Sequence, residues 1–391
     1  MFDACRGCKY NKNRAQMAWA EGWMEHFSAG QRSKARLAVV IAAIVIVALL
    51  ILYLAGVFGG GVRRMTAKKL RCVASQQVTP FHDRILYYDG ATIFCLNANG
   101  GELWKYMVGS GASFSVSDNL VTVWVGEHLH ILDRNGRVTY NDRLTDSIQF
   151  ARAGSQYVAA AIGDTVSPTL IVKDINGLAV DSESVAYEDK VILDMGFFEN
   201  GEYLWTTALD VFGVAPLTVI NMYRVGAMNT GEVELGEEIT YDVLYSGSRL
   251  HVVNTREVSQ YDYRGTLYPN SSRLVYGWQL IDAYEGGGDV AMLFAPVLQT
   301  SDERRITELR LISQRRDSRY TLPDTCVGAG LRGNSLFAFS GDTFYRADIA
   351  SQRFSAIKLP IKETVTGYIG KLANGVALVT CDNDVYAFTL P

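Results

Sequence analysis

The sequence predicts an all-β domain, a β-propeller of seven or eight blades with eight favoured, preceded by one transmembrane α-helix and a short N-terminal tail. Three observations predict it. An unbroken apolar run, Leu37 to Phe58, stands near the N-terminus without a charge, an amide or a proline. Beyond Leu70 the apolar residues nowhere follow the helical period. Short β-rich runs separated by polar-glycine turns recur there instead, at intervals of roughly 35 to 55 residues. The chain therefore divides into a tail (1–36), a membrane span (37–58), a basic glycine-rich linker (59–71) and the propeller (72–391).

At about 1.5 Å per residue the apolar run covers ~33 Å as a helix, enough for a hydrocarbon core of ~30 Å. A buried core helix would keep a polar stripe, and this run is aliphatic all round. A cleaved signal peptide has a shorter apolar core and only a few residues before it. Here a long basic tail precedes the run, and Leu54-Ala55-Gly56 leads into Val57 and not into a lipoprotein cysteine. The reading is an uncleaved signal anchor.

The tail opens with Cys5-Arg6-Gly7-Cys8. Cys5 and Cys8 are the candidate metal ligands, a pair that needs further donors from a second copy or a partner. Trp19, Trp23 and Phe27 follow at helical spacing, with Glu21 and Glu25 on the other side, as in a short amphipathic helix at the headgroup layer. The remaining cysteines, Cys72, Cys95, Cys326 and Cys381, are scattered singly and read as buried free thiols.

The formal net charge of −4 hides a polarity. Residues 1–71 carry a net of +9 and residues 72–391 a net of −13. An acidic propeller repels a phosphate backbone, so nucleic acid is excluded as its partner. The basic membrane-proximal segment suits anionic headgroups, and the lipid bilayer is the first expected partner. Lysines and arginines flank the span on both sides. Orientation therefore rests on the long C-terminal domain, which favours the N-terminus inside and the propeller outside the cell membrane.

The clearest repeat unit is Ile85 to Tyr88, Asp89-Gly90, Thr92 to Leu96, a turn through Gly100 and Gly101, and Glu102-Leu103-Trp104. The next runs from Leu120 to Trp124, Gly126-Glu127, Leu129 to Leu132, and a turn through Asp133, Asn135 and Gly136. Weaker turns follow at Asp174-Ile175-Asn176-Gly177, Asn229-Thr230-Gly231 and Asp262 to Gly265, and degenerate ones at Arg316-Asp317-Ser318 and Asp348 to Ser351. With the terminal unit Gly375 to Leu390 the count favours eight. Asp-x-Asn-Gly also opens a calcium-binding EF-hand loop, but the bidentate Glu and flanking helices are missing, so the turn reads as a hairpin with a residue at positive φ. The last unit lacks an outer strand, which Arg71 to Val78 would supply, closing the ring.

The segment Leu96 to Trp104 resembles the repeat of the quinoprotein-like (PQQ-like) propellers, in which a strand leads through a glycine turn to a docking tryptophan. The whole chain, span included, is similar to a family of single-pass membrane-anchored propellers of Gram-positive bacteria. That resemblance implies a propeller fold in a superfamily holding both dehydrogenases and an outer-membrane assembly scaffold. A dehydrogenase would carry adjacent cysteines and calcium ligands, which this chain lacks, so no cofactor is expected.

Function is expected on one rim. The connections between the second and third strands of a blade (b–c) are long at Gly163 to Pro168, Ala208 to Pro216 and Pro296 to Arg305, while the turns at the other rim stay short. The candidate contact residues are Asp210, Val211 and Phe212 with Gln299, Asp302, Glu303, Arg304 and Arg305. No nucleophile elbow, Walker loop or zinc-protease helix occurs, and His128 and His130 share a strand face without a third ligand. The leading expectation is a non-catalytic scaffold binding an envelope protein or a cell-wall ligand. An enzyme acting on glycans or a small ligand at the central channel, and a sensor signalling to the tail, are the alternatives.

Overall fold

The computed structural model describes Ile41, Ala43 and residues 45–47, all helical, and residues 65–391 except 199–200, 228, 287–288 and 298–304. Contacts divide the chain into Met1–Arg63 and Arg64–Pro391. Among the described residues no helix is long and apolar enough to cross a membrane, and most of the 37–58 span lies outside them. Cys5, Cys8, Gln299, Asp302, Glu303 and Arg304 also fall outside the described residues.

From Thr66 onward the chain forms eight four-stranded antiparallel sheets, an eight-bladed β-propeller. Strands a to d run from the ring centre outward. Blade 1 is Thr79–Phe81, Arg84–Tyr88, Thr92–Asn97 and Glu102–Met107; blade 2 is Ser113–Val116, Leu120–Val125, His128–Asp133 and Val138–Arg143. Blade 3 is Ile148–Ala153, Tyr157–Ile162, Thr169–Asp174 and Ala179–Glu183; blade 4 is Lys190–Phe198, Tyr203–Asp210, Leu217–Arg224 and Asn229–Gly236. Blade 5 is Thr240–Ser246, Arg249–Asn254, Glu257–Tyr261 and Arg273–Leu274; blade 6 is Trp278–Gly286, Asp289–Pro296, Ile306–Ser313 and Arg316–Cys326. Blade 7 is Gly328–Arg332, Ser335–Phe339, Thr343–Asp348 and Phe354–Lys358. Blade 8 takes Gly367–Lys371, Val376–Cys381 and Asp384–Thr389 from the end of the chain and Thr66–Val73 from its beginning.

The sequence pattern follows from this geometry. A b strand is covered on both faces by neighbouring blades, so it reads as a continuous apolar run: all five residues of Ser335–Phe339 are buried. A d strand faces solvent on its outer side, and Glu102–Met107 alternates accordingly. The core is thus a ring of separate wedges, one at each blade interface. Phe81, Leu86, Val121 and Leu132 fill that between blades 1 and 2, and Leu293, Leu309, Leu331 and Leu336 that between blades 6 and 7.

Three expectations need correction. The closing strand is Thr66–Val73 and not Arg71 to Val78, so Lys68 to Arg71, assigned to the linker, belong to the sheet. The register pairs Thr66 with Thr389 and Lys69 with Tyr386, and it buries Leu70 and Cys72 while Lys69 and Arg71 point outward. That alternation, with basic residues on the solvent side, is what made the stretch look like linker. Asn229-Thr230-Gly231 lies in strand d of blade 4, whose turn is at Gly226. Arg316-Asp317-Ser318 likewise begins strand d of blade 6, behind a two-residue turn without glycine, because Ser313 pairs directly with Arg316.

Candidate binding surfaces

The turn aspartates are occupied by the backbone. Asp133 Oδ1 accepts the Asn135 and Arg137 N–H groups at 2.8 and 2.9 Å, and Asp174 and Asp262 cap their turns in the same way. Gly100, Gly136, Gly177 and Gly265 take positive φ. The d strands of blades 1, 2 and 8 also lean a residue onto the next blade's turn. Trp104 donates its indole N–H to Arg134 O at 3.0 Å and lies where a Cβ on Gly136 would be 2.5 Å away. Tyr140 does the same over Gly177, and Leu70 over Gly100. The docking position therefore recurs in these three blades, and only one of them fills it with tryptophan.

Strand direction puts the b–c and d–a connections on one rim and the a–b and c–d turns on the other. The long b–c connections, 163–168, 211–216 and 297–305, lie on one rim as expected, but the opposite rim does not stay short throughout: residues 262–272 between strands c and d of blade 5 form a longer connection there. Asp210 Oδ1 accepts the Phe212 N–H at 3.0 Å, an Asx turn that presents Phe212 outward, 68% exposed, with Val211 beside it. The structure adds residues that the sequence reading passed over. Val214 and Leu217 flank Phe212, Ile239 and Tyr276 stand on the d–a connections into blades 5 and 6, and Val297 begins the blade 6 loop. All are exposed, Tyr276 to 83%. The d–a loops escaped notice because they are short, although they share the rim with the long b–c loops. Arg305, at the end of the blade 6 loop, is exposed.

This apolar arc is confined to blades 4–6 and to Val185 just before them. Over blades 7, 8, 1 and 2 the same rim carries Asp342, Glu363, Asp382, Asp89, Glu127 and Asp146, with Lys362 beside Glu363. Met107 is the one large exposed apolar residue there among the described residues. Acids also border the arc, at Glu188, Asp189, Glu237 and Glu238.

The central channel carries carboxylates. Asp194, Asp242 and Asp282 each follow a β-bulge at an equivalent place on strand a of blades 4, 5 and 6. Asp194 and Asp282 are held in ion pairs. Asp194 accepts from the Met195 N–H at 2.8 Å and pairs with Arg152 of blade 3 at 2.8 Å. Asp282 accepts from Ala283 N at 2.9 Å and Leu331 N at 2.7 Å and pairs with Lys371 of blade 8 at 2.5 Å. That last link crosses blade 7 over Gly330, where a Cβ would sit 2.8 Å from the Asp282 carboxylate. Asp242 has no cation within salt-bridge reach among the described residues, and burial pushes its carboxyl up. At the a–b end of the channel a cavity of about 430 Å³ is lined by Phe197, Phe198, Trp205, Tyr245 and Glu285.

Of the sequence-predicted histidine pair, His130 accepts or donates a 2.9 Å hydrogen bond with the Tyr106 hydroxyl, and His128 stacks near it. His251 is the more consequential ring. It lies on strand b of blade 5, 1% exposed, with neither nitrogen bonded among the described residues. Burial pushes the imidazole down from 6.5 to about 4. The unfolded chain therefore binds a proton near pH 6.5 that the folded chain takes up only near pH 4, and stability falls as the pH drops through that window, by about 3 kcal/mol in all. His251→Leu is expected to flatten that part of the stability–pH curve and to add about 1–3 kcal/mol at neutral pH. Denaturant midpoints measured from pH 4 to 7 check both.

An eight-bladed β-propeller with one apolar rim arc is the class these features define. No protein-family model matches the chain, and no curated protein matches its sequence. Solved structures similar to it are β-propellers. The C-terminal WD40 domain of Sif2 matches at 10% identity with a TM-score of 0.56, covering 85% of this chain and all of that one. Sqt1 of Saccharomyces cerevisiae matches at 10% identity and a TM-score of 0.54, covering 83% of this chain and 100% of its own. BamB of Moraxella catarrhalis matches at 12% identity and 0.49, covering 84% and 98%. At these identities the likeness shows the fold alone.

Proposed function

We propose that the protein is a non-catalytic binding scaffold, a propeller anchored in the cell membrane by residues 37–58 and displayed outside the cell, where its b–c rim holds an envelope protein. The observation that carries this reading is the apolar arc of Val211, Phe212, Val214, Ile239, Tyr276 and Val297 on an otherwise acidic domain. Large apolar side chains gathered on one rim, held out by a rigid ring, mark a contact surface. The anchoring half rests on the sequence: the apolar run and the basic residues around it. The channel favours scaffolding over catalysis, because Asp194 and Asp282 are neutralised by Arg152 and Lys371 and turned to the backbone. Membership in the PQQ-like superfamily, and in the anchored Gram-positive family, rests on the Leu96 to Trp104 motif and the span before it.

The chain enters the ring at the c–d rim, since Thr66 pairs with Thr389 where strand c of blade 8 ends. Replacing Phe212 and Tyr276 together by Asp is expected to leave the unfolding midpoint within about 0.5 kcal/mol, as for exposed positions. It should weaken partner capture in cells by tenfold or more, the scale of losing two contact anchors. Unchanged capture by a folded double variant would sink the reading.

A further inference from the structure

A second surface lies on the opposite rim. Blade 5 departs from its neighbours: its outer strand is cut to Arg273–Leu274, and its c–d connection runs through residues 262–272 where blades 1 to 3 use short turns. The connection folds back along strand c, with Tyr268 N donating to Gln260 O at 2.9 Å and Gln260 N to Ser271 Oγ at 3.2 Å. This leaves a groove of about 280 Å³ between blades 5 and 6, lined by Arg249, Arg273, Asn270 and Gln314 among others.

The groove is cationic in a domain of net charge −13. Arg134, Arg143, Arg152, Arg224 and Arg310 each hold a carboxylate. Arg249 and Arg273 hold none among the described residues. Arg249 donates to Gln260 Oε1 at 2.9 Å and lies 4.4 Å over the Tyr268 ring, which fixes its plane. Arg273 donates only to the loop carbonyls of Asn270 and Ser272, at 3.1 Å each. Among the described residues no acidic side chain lines the groove; the carboxylates close by include Asp289, which accepts the Gln314 N–H at 3.1 Å, and Asp317, which is paired with Arg310. Each guanidinium keeps further N–H groups beyond these bonds. Amide side chains border the groove as well, Asn270 from the same loop as Arg273 and Gln314 from blade 6.

We propose that this groove binds a phosphoryl group, presented by a phosphodiester or as free phosphate. Two forked cations on one blade, with an amide from the facing blade, suit a tetrahedral anion with several acceptor oxygens. A planar carboxylate is satisfied by one fork. The site is separate from the b–c rim, so its failure leaves the scaffold reading standing.

The test is thermal unfolding of the full chain in uncharged detergent against increasing inorganic phosphate or glycerophosphoglycerol, with chloride at equal ionic strength as the baseline. The expected result is a saturable rise in midpoint above chloride, with half-saturation raised tenfold or more in Arg249→Gln/Arg273→Gln, the loss appropriate to charge-assisted bonds. Tighter half-saturation by the diester would assign a phosphodiester polymer as the source, and tighter half-saturation by inorganic phosphate a free phosphate. A rise no larger than chloride's, an equal response in the variant, or equally tight saturation by succinate would overturn the proposal. Should the double variant not fold, Arg273→Gln alone, an exposed side chain bonded only to its own loop, replaces it.

Discussion

A chain lacking Met65–Val73 is expected to lose its folded ring, although the deletion removes no residue from seven of the eight blades. The segment supplies the outer strand of blade 8 and places Met65 in the wedge against blade 7, and Leu70 and Cys72 in the wedge against blade 1. Leu70 packs there with Ile85, Leu96 and Leu378. Losing one such side chain costs about 2–5 kcal/mol, and a domain's whole margin is about 5–15. The deletion also uncovers the edge of Asp384–Thr389, a template for pairing with another chain. Leu70→Ala should therefore destabilise by about 2–4 kcal/mol, and the deletion should leave a protease-sensitive, aggregating product. Denaturant titration of the point variant and limited proteolysis of the deletion measure these. A deletion product that unfolds like the parent would show that the ring closes without its first strand.

Lys371→Met is expected to cost about 2–3 kcal/mol, nearly as much as a core truncation, because it strands a carboxylate. Lys371 and Asp282 are only about a fifth exposed, and their contact joins blades 6 and 8 across the channel wall. Removing one partner of a buried pair costs about 3–5 kcal/mol; the estimate is lowered because Asp282 keeps its bonds from Ala283 N and Leu331 N and some contact with water. Adding Asp282→Asn to Lys371→Met should recover part of the loss, since a neutral amide needs no counter-ion. A double-mutant cycle on denaturant midpoints gives the coupling. Additive losses would mean that the two side chains do not act as a pair.

Much of the ring was legible in the sequence because b strands are buried on both faces and turns need glycine. Leu120 to Trp124 and Gly136 announce themselves for those reasons. What escaped did so for equally physical reasons. Tyr140 and Leu70 dock on turns as Trp104 does, but the position asks only for a side chain that covers a glycine. The closing strand was displaced toward Val78 because its outward lysines and arginines resemble a linker. Asp194, Asp242 and Asp282 share one structural place, yet in the chain each is only an apolar residue followed by Asp. On the b–c rim, Phe212 stood out in a long loop, whereas Ile239 and Tyr276 sit in short ones and join it only when the blades close. Gln299, Asp302, Glu303 and Arg304 lie outside the described residues.

The central claim is that the b–c rim of an externally displayed propeller is the contact surface. It is tested most directly with Phe212→Cys and Arg353→Cys, one on each rim, labelled in intact cells with a membrane-impermeant thiol reagent carrying a photo-crosslinker. Cys5 and Cys8 of the tail are replaced by Ser in both variants, and Cys72, Cys95, Cys326 and Cys381 are buried and stay silent. The account predicts that position 212 labels without opening the cells and yields one discrete adduct on illumination, while position 353 yields none. Labelling only after the cells are opened, or a discrete adduct from position 353 alone, would contradict it.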